Sequence, residues 1–176
     1  MDWFAALVGL CIVIYYFYIQ NKAAGNKKKT KSFTTIRDEY QTLEQVQKAL
    51  REAGLESSSL IVAVDYTKSN TWNGKNTFGG QSLHSISHTV LNPYQQVITI
   101  LGKTLAPFDD DGLIPAFGFG DVFTKDKKCF PFFPDRPCNG FQEVLERYNA
   151  ITPGIQLNGP TNFGPAIREA IKIVSQ

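Results

Sequence analysis

The chain has 176 residues, 43% hydrophobic and 19% charged, enough apolar side chain for one folded domain and too much for a disordered one. Its net charge is +2, yet positions 20–37 hold six basic and no acidic residues, while positions 38–176 hold 12 basic and 15 acidic ones, a net of −3. The basic character belongs to one short segment, so no nucleic-acid-binding face is expected on the globular part.

Residues 3–19 carry no charge. As a helix they would span about 25 Å, short but adequate for a bilayer core. Trp3 at one end and Tyr15, Tyr16 and Tyr18 at the other fit interfacial aromatic belts. The lysines Lys27, Lys28 and Lys29 follow the apolar run, and only Met1 and Asp2 precede it. A secretory signal reverses that order. The expectation is one uncleaved transmembrane helix (residues 1–19 as anchor) that makes a single-pass membrane protein with its domain facing the cytosol. Residues 20–35 read as a basic linker, whose lysines either bind anionic lipid or only fix topology. The cysteines are Cys11, Cys129 and Cys138. An odd count, without zinc spacing to His84 or His88, fits a reducing compartment.

Thr42 followed by Gln45 is a capping-box pattern. Leu43, Val46, Ala49, Leu50 and Ala53 then share one helical face, and Gly54 supplies the stop. Residues 60–64, Leu-Ile-Val-Ala-Val, read as a buried parallel strand. Residues 70–82 form a long polar loop, in which Trp72 is expected to pack the loop down. Asn92-Pro93 starts a helix, with Tyr94, Val97, Ile98, Leu101 and Leu105 at helical spacing. Asp109, Asp110 and Asp111 read as a solvated turn. A second strand is expected over 113–119, ending in Gly118-Phe119-Gly120-Asp121, and a short edge strand over 129–133, interrupted by Pro131. Two further helices are expected, one over 140–148 and one with Ala166, Ile167, Ala170, Ile171 and Val174 inward.

The chemistry concentrates at Asp65-Tyr66-Thr67-Lys68-Ser69, directly after the first strand. The C-terminal edge of a parallel sheet is where ligand sites form. One carboxylate and two hydroxyls at alternate positions are all hard oxygen donors, suited to Mg²⁺ or Mn²⁺, with Ca²⁺ as a further candidate. The plain alternative is that these residues are turn and cap residues. Thr161, in Gly159-Pro160-Thr161 before the last helix, either caps that helix or brings a fourth oxygen to the same ion. Asp121 is a candidate outer partner of such an ion. No arrangement of nucleophile, base and oxyanion donors is visible, and Gly118-Phe119-Gly120 lacks the rest of a dinucleotide fingerprint.

Asp-x-Thr-x-Ser after a first strand together with Gly-Pro-Thr before a late helix resembles the metal-ion-dependent adhesion site of a von Willebrand factor A domain. Asn92-Pro93-Tyr94, the stretch from Leu113 to Asp121, and Pro137-Cys138-Asn139-Gly140-Phe141 resemble the copine-type branch. Within it the chain is similar to the copine-like domain of RING-type ubiquitin ligases. The resemblance covers roughly residues 35–175 and implies a partial copine-type domain over 36–176. It implies an α/β, Rossmann-like domain with a divalent cation bound by Asp65, Thr67, Ser69 and Thr161. A protein partner's carboxylate would complete the coordination. The chain stops before the strand that carries a further site aspartate in that family, so the domain is expected to be incomplete at its C-terminus. No cysteine and histidine array of RING spacing is present.

Two functions follow as expectations. One is a membrane-tethered, metal-dependent protein-binding module. The other is a fragment or relative of a RING-type E3 ubiquitin ligase, an enzyme assignment that rests on resemblance alone.

Overall fold

The computed structural model describes residues 39–175. The expected anchor at residues 1–19 and the linker at 20–35 lie outside them. The described elements, in chain order, are α1 (Leu43–Glu52), β1 (Val62–Asp65), α2 (Pro93–Leu105), β2 (Leu113–Ile114), β3 (Ala116–Phe119), β4 (Cys129–Pro131), β5 (Cys138–Asn139), α3 (Gly140–Ile151) and α4 (Gly164–Val174), with short 3₁₀ turns between several of them.

The Thr42 capping box forms as the sequence suggests, and the expected N-cap at Asn92 forms as part of a second box. The Thr42 hydroxyl accepts the Gln45 amide, and the Gln45 side chain accepts the Thr42 amide in return. Asn92 and Gln95 make the same reciprocal pair ahead of α2. Each pair satisfies two amide donors that a helix start leaves open.

β1 runs parallel to β3, with Val64 opposite Gly118 and Asp65 opposite Phe119. β4 adds antiparallel on the far side of β3, so the order is β1-β3-β4. Gly118 is required beneath β4, because a Cβ there would lie inside the Phe130 ring. The expected strand over 113–119 is divided at Pro115, which has no N–H to give a ladder. Its first part, β2, pairs antiparallel with β5 instead. Parallel and antiparallel strands with packed helices make this a mixed α/β fold.

The core is built from Val64 and Tyr66 at the end of β1, Ile98 of α2, Ile114, Ala116, Phe132 and Cys138, and Val144 and Tyr148 of α3. α3 forms where a helix is expected over 140–148 and turns Val144 and Tyr148 inward. Two other helices differ. On α2 the buried side chains are Gln95 and Ile98, while Val97 and Leu101 stay exposed. On α4, Ile167, Ile171 and Val174 face solvent rather than inward. Among the described residues nothing covers that face, and periodicity alone identifies an apolar stripe without naming what lies against it. Trp72 is 56% exposed, so it does not pack its loop down. Cys129 and Cys138 are both free thiols.

The expected single-pass membrane location is corrected. No helix among the described residues is long and apolar enough to cross a membrane. α2, with 13 residues, is the longest of them, well short of the roughly 20 a bilayer core needs.

Candidate functional site

The site starts where β1 ends. Asp65 is the last strand residue, and its Oδ1 accepts the Thr67 amide at 2.7 Å. This local bond bends the chain off the sheet and points Thr67 inward. Thr67 is 2% exposed. Its Oγ1 lies 3.1 Å from Ser69 Oγ and accepts the Thr161 hydroxyl at 2.9 Å.

Thr161 comes from 94 residues away, and the backbone explains how. The Lys68 amide donates to the Asn158 carbonyl at 2.5 Å, and the Asn158 amide donates to Gly120 at 3.1 Å and Tyr66 at 3.3 Å. The loop ahead of α4 is thereby laid across the ends of β1 and β3. Thr161 itself remains exposed, and Asp65 and Ser69 are half-buried, so the cluster opens to solvent. All four predicted site residues are together. Thr161 does not cap α4, whose N-cap position is Phe163.

Asp121 is not part of the cluster. Its Oδ1 accepts the Thr124 amide at 2.9 Å and the Thr124 hydroxyl, and its Oδ2 accepts the Phe123 amide at 3.3 Å. Both oxygens are occupied in holding the turn after β3, which replaces the expected role beside a bound ion.

A buried network behind the cluster was not legible in the sequence. The Asp65 carbonyl lies within hydrogen-bond distance of His84 Nε2 (2.8 Å), the Asn70 amide nitrogen (3.0 Å) and the Tyr94 hydroxyl (3.1 Å). A carbonyl only accepts, so Nε2 carries the His84 proton and Nδ1 accepts from the Tyr148 hydroxyl at 2.8 Å. The Asn92 side chain closes the chain by donating to Tyr148 at 3.2 Å. The His84 ring is sandwiched between Tyr94, 4.1 Å away, and Tyr66, 4.7 Å away, nearly parallel to both. Burial pushes the imidazole down to about 4, so it is neutral near pH 7. Burial also pushes the hydroxyls of Tyr66, Tyr94 and Tyr148 up, which keeps them protonated donors. Tyr94 and Tyr148 could be read in sequence as helix-face residues, but their hydroxyl partners could not. His84 sits in a loop with no periodic signal at all.

Chemically, the cluster offers three hydroxyl oxygens and one carboxylate. Among the described residues no three His, Cys, Asp or Glu side chains gather into a metal-binding group. Asp65 is the one formal charge in the cluster. The donor set suits a hard cation that keeps part of its water shell, and it supplies no thiolate or imidazole for zinc.

The copine family model matches residues 82–176 of the chain. The E3 ubiquitin-protein ligase RGLG1 of Arabidopsis thaliana is 52% identical over 158 residues, covering 89% of this chain and 32% of that protein. RGLG4 of the same plant is 52% identical over 87% of this chain and 38% of its own length. Copine family protein 2 of Caenorhabditis elegans is 50% identical over 78% of the chain and 2% of its own length. The chain thus spans about a third of the length of the plant ligases it matches. With a family match over more than half its residues and relatives at this level of identity, the chain belongs to the copine family.

Proposed function

We propose that the chain is a protein-binding module whose contact depends on a divalent cation held by Asp65, Thr67, Ser69 and Thr161, in the manner of a von Willebrand factor A adhesion site. One observation carries the reading: a hydroxyl from 94 residues downstream is brought to the Thr67 oxygen at the end of the first strand. Oxygens of adjacent ligands around a small octahedral ion with bonds of about 2.1 Å stand about 3.0 Å apart. The Ser69–Thr67 and Thr67–Thr161 separations are 3.1 and 2.9 Å. Both separations are also those of the hydroxyl–hydroxyl hydrogen bonds that join the three side chains, which an ion would replace, so the choice among Mg²⁺, Mn²⁺ and Ca²⁺ rests with titration.

A bound cation would supply an electrophilic centre for a carboxylate on the partner protein. The chain's own residues do the rest. Asp65 gives the balancing charge. The Thr67 amide fixes one of its carboxylate oxygens, and the His84, Asn70 and Tyr94 contacts fix its main chain. Thr161, exposed at the mouth, leaves the approach open.

Isothermal calorimetry of MnCl₂ and MgCl₂ against the full chain tests this. The wild-type chain should bind one ion, and Asp65→Ala should weaken binding by at least about tenfold, or about 1.4 kcal/mol. Thr161→Ala should weaken it by less, because a neutral donor is lost. Absence of any heat of binding to the wild type would leave the hydroxyls as a turn and overturn the reading.

A second reading is favoured by the five plant relatives at 48–52% identity, each an E3 ubiquitin-protein ligase. In it the chain acts in protein ubiquitination, as the part of a RING-type ligase that selects the protein to be modified. The source gene read beyond the codon for Gln176 tests it. A following RING with zinc-ligand spacing is the expected result, and a stop codon or unrelated sequence counts against it.

A further inference from the structure

We propose that the groove beside Phe123 is a docking site for an acidic peptide segment of another protein carrying one bulky apolar side chain. The groove has a volume of about 450 Å³, within the range of peptide and small-ligand pockets. Phe123, Phe130, Pro131 and Ile155 give it apolar walls, and Lys128 stands among them. It lies on the β4 side of the sheet, at the opposite end of the strand order from the candidate ion site on β1.

Phe123 is 84% exposed, the most exposed large apolar side chain among the described residues. Its main chain is nevertheless held in place. The Asp121 carboxylate accepts the Phe123 and Thr124 amides, and the neighbouring Val122 amide donates to Gln156 at 3.0 Å. A buried acidic residue, 5% exposed, thus fixes a turn that holds an aromatic ring out in water. An aromatic on a rigid support loses little entropy on binding, which is the property of an interface anchor. The opposite wall is equally fixed: Phe130 lies over Gly118 and stacks 5.9 Å from Tyr66 in the core.

Charge defines the occupant. Lys128 lines the groove, and Lys125 and Lys127 are exposed in the turn that leads to it from Phe123. Asp121 has both oxygens engaged, and Asp126 is the one other acidic residue between positions 121 and 134. Lys125 has φ of +48°, a left-handed conformation that a non-glycine residue seldom adopts and that marks a constrained turn. An apolar slot with Lys128 in its wall and two further exposed lysines in the adjoining turn matches an apolar side chain flanked by Asp or Glu. The concavity favours a peptide over a lipid surface, which a single ring at the edge of a groove would engage poorly.

The test uses the full chain in EDTA, so that it stands apart from the ion site. A library of random dodecapeptides is selected on the immobilised chain, and the leading peptide is synthesised with a fluorophore and titrated by anisotropy. The expected peptides carry Asp or Glu beside Phe, Trp or Leu. Phe123→Ala and Lys128→Glu should each weaken the leading peptide by about tenfold, while Lys128→Arg should bind like wild type. Both altered positions are exposed, and circular dichroism confirms that the variants fold. Selected peptides without acidic excess, or affinities unchanged in both variants, would overturn the proposal. So would the absence of selected peptides alongside binding to phosphatidylserine-containing phosphatidylcholine vesicles that the same substitutions abolish. That outcome would make the patch a lipid contact.

Discussion

Replacing His84 with alanine is expected to lower the unfolding free energy by about 3 kcal/mol, measured by denaturant titration at pH 7.5. The ring fills the gap between Tyr66 and Tyr94 and donates to the Asp65 carbonyl, and its Nδ1 accepts from Tyr148. Alanine removes both hydrogen bonds and leaves a void between two aromatic faces that are themselves fixed by other partners. Tyr66 remains bonded to Thr152 at 2.8 Å, and Tyr94 to Asn70 at 3.0 Å. The walls therefore collapse little, which keeps the cost within the roughly 2–5 kcal/mol of core truncations. Tyr94→Phe, which removes one hydroxyl and keeps the ring, should cost only about 1 kcal/mol.

The same residue gives the fold its pH dependence in the mildly acidic range. Burial depresses the imidazole from 6.5 to about 4 in the folded chain. Between those values the unfolded chain binds a proton that the folded chain does not, so stability rises with pH. His84's contribution is fully present above pH 6.5 and is lost as pH falls toward 4, a total on the order of 3 kcal/mol. Glu143, paired with Arg136 at 2.7 Å, is held down from 4.5 to about 2, so its contribution begins to fall only at the acid end of this window and is lost mainly below it. In His84→Ala the decline between pH 6.5 and 4 should largely vanish. A decline of undiminished size in that variant would show that another group titrates there.

The sequence made some elements legible and hid others for physical reasons. The capping box at Thr42 and the Asn92-Pro93 cap are local: side chains answer amides within one turn, so the pattern alone locates the helix start. The cluster of Asp65, Thr67 and Ser69 is local as well. Its closure by Thr161 depends on the Asn158 contacts with Lys68, Tyr66 and Gly120, which no short window contains. The resemblance to copine-type domains placed Thr161 beside the first strand where periodicity could not. His84 illustrates the opposite limit. Its function in the fold comes from Tyr66, Tyr94 and Tyr148, which reach it from three separate segments. The misread faces of α2 and α4 share one cause. An apolar stripe shows which residues avoid water in a finished assembly, and Val97, Ile167 and Ile171 have no covering partner among the described residues. Pro115 was visible in the sequence, and its missing N–H is the reason one expected strand became two.

Gly120→Ala should be the most damaging small substitution at the site. Gly120 has φ of +85°, a conformation that costs an L-residue about 1–2 kcal/mol by itself. A Cβ there would also fall inside the Thr67 methyl group and 3.2 Å from the Thr67 amide nitrogen. Thr67 has nowhere to move. Its amide is bound to Asp65, its carbonyl accepts from Asn70, and its hydroxyl contacts Ser69 and Thr161. The expected loss is therefore about 3 kcal/mol or more in denaturant unfolding, within the range of buried steric conflicts. Gly112→Ala separates the two causes. Gly112 also has positive φ, +63°, but nothing lies within 4 Å of a Cβ built there. It should show only the backbone cost. The excess at Gly120 then measures how tightly β3 presses on Thr67, and the same variant should lose Mn²⁺ binding together with stability, because moving Thr67 separates the three hydroxyls. Equal costs at the two glycines would mean that the end of β1 yields freely, and a site on so soft a support could not hold an ion of fixed geometry.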